Sequence, residues 1–191
     1  SLPPRLGKST IISVIYPAWR LMHDPTLRII CASYSEDLAF TLSREFRRIV
    51  ESDWYKEAAP AVRLVKSSDR HVQTDAGGGR FATSVGGTLT GIGGNLLIFD
   101  DVMKADDARS PTVRLSAFTW LETTAFSRLD DKAKGCIIVV GQRLHPLDPI
   151  GQLLSKGGWD HFCLPAIAAA TKTYRLARVG GFAQYKWKVG E

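Results

Sequence analysis

Apolar residues in this chain fall into short runs separated by helical stripes. Three runs are long enough for a strand and too short for a buried helix. They are Arg28–Tyr34 ("RIICASY"), Leu96–Asp101 ("LLIFDD") and Gly135–Gly141 ("GCIIVVG"). Unbroken apolar stretches of this length read as strands covered on both faces. Thr10–Met22 reads as a helix despite Pro17. Ser35 stands as an N-cap before "EDLAFTLSREFRRIVESDW", with Glu36 and Asp37 in the first turn. In that segment Leu38, Leu42, Phe46, Ile49 and Val50 form the apolar stripe. Arg44, Arg47 and Arg48 lie on the other face, which reads as solvated.

From Val62 to Val85 the pattern alternates, giving three short strands with a turn at Gly77–Gly79. "GGTLTGIGGN" is then a glycine-rich loop. Ser110-Pro111 opens a helix running to about Arg128, with Pro at its first position. Pro149–Leu154 is a short helix. The stretch from Lys172 is basic and aromatic without a clear period. Apolar strands alternating with helices predict an α/β fold, a mostly parallel sheet with helices on both faces.

Composition narrows the class. The 191 residues suffice for one α/β domain, and 45% hydrophobic with 23% charged residues is ordinary for a globular chain. No apolar run reaches the roughly 18–20 residues that span a bilayer, so no membrane partner is expected. Cys31, Cys136 and Cys163 are too far apart to suggest a metal site. Cys31 and Cys136 sit in apolar runs and are expected to be buried free thiols. The net charge of +6 suits a polyanionic partner.

The candidate chemistry begins at "PPRLGKST", Pro3 to Thr10. A phosphate loop is written G-x-x-x-x-G-K-[ST], and Gly7-Lys8-Ser9 supplies its second half. Leu2 stands where the first glycine belongs. Pro4, Arg5, Leu6, Gly7, Lys8, Ser9 and Thr10 are therefore candidate ATP-binding residues. In such a loop backbone N–H groups and the helix start cradle phosphates, the lysine pairs with the outer ones, and the hydroxyl binds Mg²⁺. "LLIFDD" supplies the second half of the chemistry, a buried strand ending in carboxylates. Ser9 and Asp100 are the candidate Mg²⁺ ligands, and Asp101 could orient or deprotonate the attacking water. In "CIIVVGQRLH", Gln142 and Arg143 follow a third strand, where a polar group can feel a γ-phosphate.

These four stretches, in this order, resemble the ATPase domain of the large terminase subunit of tailed bacteriophages and prophages. "RIICASYSEDLAFTLSREFRRIVESDWY" and "GRFATSVGGTLTGIGGNLLIFDDVMKADDARS" carry the match, beside "PPRLGKS" and "VVGQRLHPLDPIGQLL", from about Leu2 to Ala168. The resemblance implies a P-loop NTPase fold of the RecA/ASCE kind over residues 1–160. It implies that the strand feeding the phosphate loop lies before Ser1. Residues 161–191 would be a linker toward a C-terminal RNase H-like nuclease domain, with no nuclease activity in this chain. It gives Arg5 a role toward the γ-phosphate, and makes Asp101, Gln142 and Arg143 catalytic or coupling residues beside it. Asp101 is one methylene shorter than the glutamate of many relatives. Gln142 and Leu144 replace the Thr and Trp of a Thr-Arg-Trp-His stretch.

Further implications are ATP hydrolysis driving double-stranded DNA into a procapsid, a homo-oligomeric ring, and contacts with a portal protein and a small terminase subunit. The place of action would be the host bacterial cytoplasm. Arg80, Arg109 and Arg114 are candidates for an arginine supplied to a neighbouring subunit or for DNA contact. Two other readings stay open: a non-catalytic nucleotide- or DNA-binding module from a degenerate prophage terminase, and a helicase-like P-loop ATPase.

Overall fold

The computed structural model describes residues 6–163, 167, 169–178 and 181–189. Pro4 and Arg5 lie outside the described residues. Six strands form one sheet: β1 (Arg28–Ser33), β2 (Leu64–Ser67), β3 (His71–Thr74), β4 (Gly79–Ser84), β5 (Leu96–Asp100) and β6 (Cys136–Val140). Their order is β2-β3-β4-β1-β5-β6. β4, β1, β5 and β6 run parallel, and β2 and β3 join antiparallel at one edge. This is the mostly parallel α/β sheet that the sequence predicts, and it is consistent with a P-loop NTPase-like fold.

Two packed layers explain the alternation inside each central strand. Ile29, Cys31, Leu96 and Ile98 face the first layer, where they meet Val14, Ala18 and Leu21 of the opening helix. Leu42, Phe46 and Val50 of α2 (Glu36–Val50) join them there. Ile30, Ala32, Leu97 and Phe99 face the second layer, against Phe118 of α4 (Pro111–Trp120) and Leu153 of α5 (Pro149–Lys156). Ile98 and Leu97 are fully buried on opposite faces of the same strand.

Ser35 caps α2 as expected, its Oγ accepting from the Leu38 N–H at 3.3 Å. The segment that follows is not one helix. α2 ends at Val50, and a separate turn, α3 (Asp53–Ala58), begins after Ser52. The opening helix also departs from regularity. It is π-helical over Thr10–Ile15 before α1 (Tyr16–His23), and the wide register ends just before Pro17. The helix after Ser110-Pro111 likewise passes through a π turn at Leu121–Ala125 and a 3₁₀ turn at Phe126–Arg128.

Two expectations are corrected, and a third stretch takes a definite form. Cys136 is exposed, because β6 is an outer strand among the described residues and nothing there covers its first position; Cys31 is buried and free. The basic face of α2 is not simply solvated. Arg44 and Arg47 both pair with Asp69, and Arg47 also reaches Glu51, so the helix is tied to the β2–β3 turn. The aperiodic basic stretch forms a hairpin of β7 (Lys172–Arg178) and β8 (Gly181–Trp187), in which Tyr174 stands opposite Tyr185. Among the described residues no helix is long and apolar enough to cross a membrane.

Replacing Ile98 with Ala should lower unfolding free energy by about 2–5 kcal/mol, since the site is enclosed between two layers. Val65→Ala, at a residue 64% exposed, should change it by less than about 0.5 kcal/mol. Urea unfolding of both variants checks the placement.

Candidate active site

The opening helix, the end of β5 and the end of β6 meet at the carboxyl edge of the parallel strands, where α/β sheets bind ligands. Gly7 takes φ +69°, a left-handed conformation that glycine reaches without a Cβ penalty. Its carbonyl accepts the first helical bond, from the Ile11 N–H at 2.9 Å. The turn delivers Lys8 and Ser9 to the sheet edge, while Leu6 and Thr10 remain exposed.

Lys8 is 8% exposed, and its Nζ donates to Asp101 Oδ2 at 3.0 Å. The two residues are 93 positions apart in sequence. Asp100 is 1% exposed. Its Oδ2 accepts from Ser13 Oγ at 2.7 Å, and the Ser9 hydroxyl lies nearby. Asp100 Oδ1 is buried without a protein partner. Burial pushes the Asp100 carboxyl above its ordinary range; the Ser13 and Ser9 hydroxyls pull it back, the Asp101 charge raises it and Lys8 lowers it.

Asp101 is the one non-glycine residue with positive φ among those described, at +46°. Such a conformation costs an aspartate on the order of 1 kcal/mol. Two backbone bonds hold it: the Asp101 N–H donates to the Val140 carbonyl at 2.9 Å, and the Tyr34 N–H donates to the Asp101 carbonyl at 3.0 Å. The twist separates the directions of neighbouring carboxylates. Asp100 points into the first layer toward Ser13, and Asp101 meets Lys8 at the rim.

Gln142 is exposed and shares a small cavity with Asp101, Val140 and Gly141. Arg143 does not join this group. Its Nε donates to both Asp148 oxygens at 3.0 and 3.1 Å, and its Nη2 donates to the His145 and Pro146 carbonyls. Asp148, 2% exposed, also caps α5 by accepting from the Gly151 N–H at 2.7 Å. It accepts from the Leu144 and His145 N–H groups as well. Asp148 therefore fixes the loop that carries Gln142.

The structure thus brings Lys8, Ser9, Asp100, Asp101 and Gln142 together. Arg80 and Arg114, read from the sequence as arginines for a neighbour or DNA, are buried at 1% and 8% exposure and serve internal carbonyls. Arg109 is exposed. Sequence reasoning missed Ser13 and Asp148. Asp148 was legible as an N-cap, since Asp-Pro precedes α5. A lone serine inside the apolar "TIISVI" was the only signal of Ser13.

A hard divalent cation takes oxygen ligands and keeps several waters, so one or two protein ligands suffice. The unpartnered Asp100 Oδ1 and the nearby Ser9 hydroxyl fit that need. Among the described residues no group of three or more His, Cys, Asp or Glu side chains forms a metal cage.

No protein-family model matches the sequence, and no curated protein is significantly similar to it in sequence. A solved structure does match the backbone. The fold is similar to that of the HK97 bacteriophage large terminase. The TM-score is 0.57 at 15% identity, over 82% of this chain and 31% of the terminase chain. This chain therefore spans under a third of that protein's length. At such identity the likeness establishes a terminase-like fold.

Asp100→Asn keeps an acceptor for Ser13 and removes a buried charge that lacks a full set of partners. In metal-free protein this variant should be more stable by roughly 1–3 kcal/mol, the scale of an unsatisfied buried group. Thermal unfolding in EDTA measures it, and a less stable variant would contradict the desolvated carboxylate.

Proposed function

We propose that this chain is the ATP-hydrolysing part of a phage-type DNA-packaging motor. The observation that carries the reading is the convergence of Lys8 and Ser9, at the start of a helix, on Asp100 and Asp101, at the end of a buried strand. A nucleoside triphosphate needs that combination of cation, hydroxyl and carboxylates. The terminase-like fold supports it.

Lys8 would neutralise the outer phosphates, and the helix start would bind them through backbone N–H groups. Asp100 Oδ1 and the Ser9 hydroxyl would hold Mg²⁺, which when bound supplies charge neutralisation at the phosphates. Asp101 would accept the proton of the attacking water or orient it. Its ion pair with Lys8 sets the order of events: a phosphate that draws Lys8 away frees the Asp101 carboxylate to act as base. Gln142 stands beside Asp101 to orient the same water. Arg5 would reach the γ-phosphate, and Arg143 would act through the loop it pins.

Residues 161–190 contain Lys172, Arg175, Arg178, Lys186 and Lys188 and no acid. They supply +5 of the chain's net +6. Concentrated positive charge on a hairpin suits double-stranded DNA phosphates, bound without regard to sequence and with steep salt dependence. A homo-oligomeric ring, a portal protein, a small terminase subunit and action in the cytoplasm of a bacterial host complete the proposed setting.

The Lys8–Asp101 pair also favours a second reading. It occupies both groups and would suit a nucleotide-binding module without turnover.

ATP hydrolysis with and without double-stranded DNA tests the choice. Turnover should rise with DNA and fall by about 10²-fold or more in Lys8→Ala. Asp101→Asn should lose turnover to a similar extent while still binding ATP. Binding without turnover in the unsubstituted protein would select the non-catalytic module.

A further inference from the structure

Arg80 lies on β4, paired in register with Ile29 of β1 and Val72 of β3. It is 1% exposed, and its guanidinium sits 5.4 Å from the Phe46 ring centroid. Among the described residues no carboxylate pairs with it. Nε and Nη1 have no partner, while Nη2 donates to the Ser13 carbonyl at 3.3 Å.

A guanidinium cannot shed its charge, so burying one without a carboxylate is costly. Packing against Phe46 alone would be met better by an apolar side chain of similar volume. The charge has a specific recipient. Ser13 lies in the π-helical turn just ahead of Pro17, a residue that has no N–H to give to that turn. Arg80 donates to the Ser13 carbonyl of this turn. The same Ser13 gives its hydroxyl to Asp100 Oδ2 at 2.7 Å. A buried cation and a buried carboxylate are thus joined through one residue of a π-helical turn.

We infer that Arg80 is a positioning residue for the Asp100 carboxylate, acting through Ser13. It holds the π turn so that the hydroxyl engages Oδ2 and Oδ1 is left for a divalent cation. This rests on the nucleotide reading above. It assigns Arg80 a duty inside its own subunit, with no reach to a neighbour or to DNA.

The test uses the full chain and the Mn²⁺ complex of a non-hydrolysable ATP analogue. Metal half-saturation is read by electron paramagnetic resonance, and analogue binding in EDTA is read separately. Arg80→Met and Ser13→Ala should each raise the metal half-saturation about tenfold, the usual scale when the support of a metal ligand is lost. Binding of the metal-free analogue should stay within about twofold. Arg80→Lys, which keeps one donor, should recover part of the loss. Arg80→Met together with Ser13→Ala should cost little more than either alone, because both break one chain of contacts.

Unchanged metal binding in folded Arg80→Met overturns the inference. So does an equal fall in metal-free analogue binding, which would mark a general structural role. Where Arg80→Met fails to fold, Ser13→Ala decides, and metal binding like that of the unsubstituted protein overturns the inference. Unsubstituted protein that binds neither the analogue nor its Mn²⁺ complex overturns the nucleotide reading itself, whereas normal binding with silent variants overturns the role of Arg80 alone.

Discussion

Asp100 is a carboxylate held where charge is expensive, and much of the site's geometry is arranged around that fact. It ends β5, the strand flanked by β1 and β6, so its backbone cannot retreat toward solvent. One oxygen receives a 2.7 Å hydrogen bond from Ser13 and the other receives none. A core built only for stability would fill this position with an apolar side chain. The sheet tolerates the cost because the surrounding packing is extensive: Leu96, Leu97, Ile98 and Phe99 immediately before it are at most 1% exposed. Four apolar residues anchor one unfavourable one.

The same strand end carries a second departure from low energy, the positive φ of Asp101. Adjacent residues in an extended strand point to opposite faces. Regular geometry would send Asp101 into the second layer, away from Lys8. The left-handed turn redirects it to the rim, where the ion pair forms at 3.0 Å. Aspartate is among the residues that accept this conformation most readily.

How much of this was legible in the sequence depends on whether local pattern decided it. The strands β1, β5 and β6 were legible because continuous apolar runs have few alternatives. Lys8, Ser9, Asp100 and Asp101 stood out as candidates because Gly-Lys-Ser before a helix and two acids at the end of an apolar run are each local patterns. Their convergence was not, since it depends on which strand ends lie beside the opening helix. The π turn followed from no propensity. It lies where Pro17, the packing of Val14 and the bond to Arg80 must be met together. Arg80 was misread for a related reason. Arginine is rarely buried without a partner, so sequence alone favours exposure. Its recipient is a backbone carbonyl, which leaves no trace in a residue pattern. The hairpin from Lys172 was missed because its sequence mixes aromatic and basic residues without a clean alternation.

These features leave the loops at the carboxyl edge mechanically joined. The Tyr34 N–H holds the Asp101 carbonyl, and the Asp101 N–H holds the Val140 carbonyl, so the ends of β1, β5 and β6 are linked through one strained residue. Beyond Val140, Gln142 is carried on a loop that Asp148 anchors from four directions: a guanidinium, two loop amides and the amide it caps in α5. Asp101 cannot relax from positive φ without loosening Tyr34 or Val140. Lys8 cannot leave Asp101 without exposing a carboxylate that the fold has turned outward at some cost. A change at the Lys8–Asp101 pair therefore reaches the backbone of two neighbouring strands without any side chain crossing the sheet.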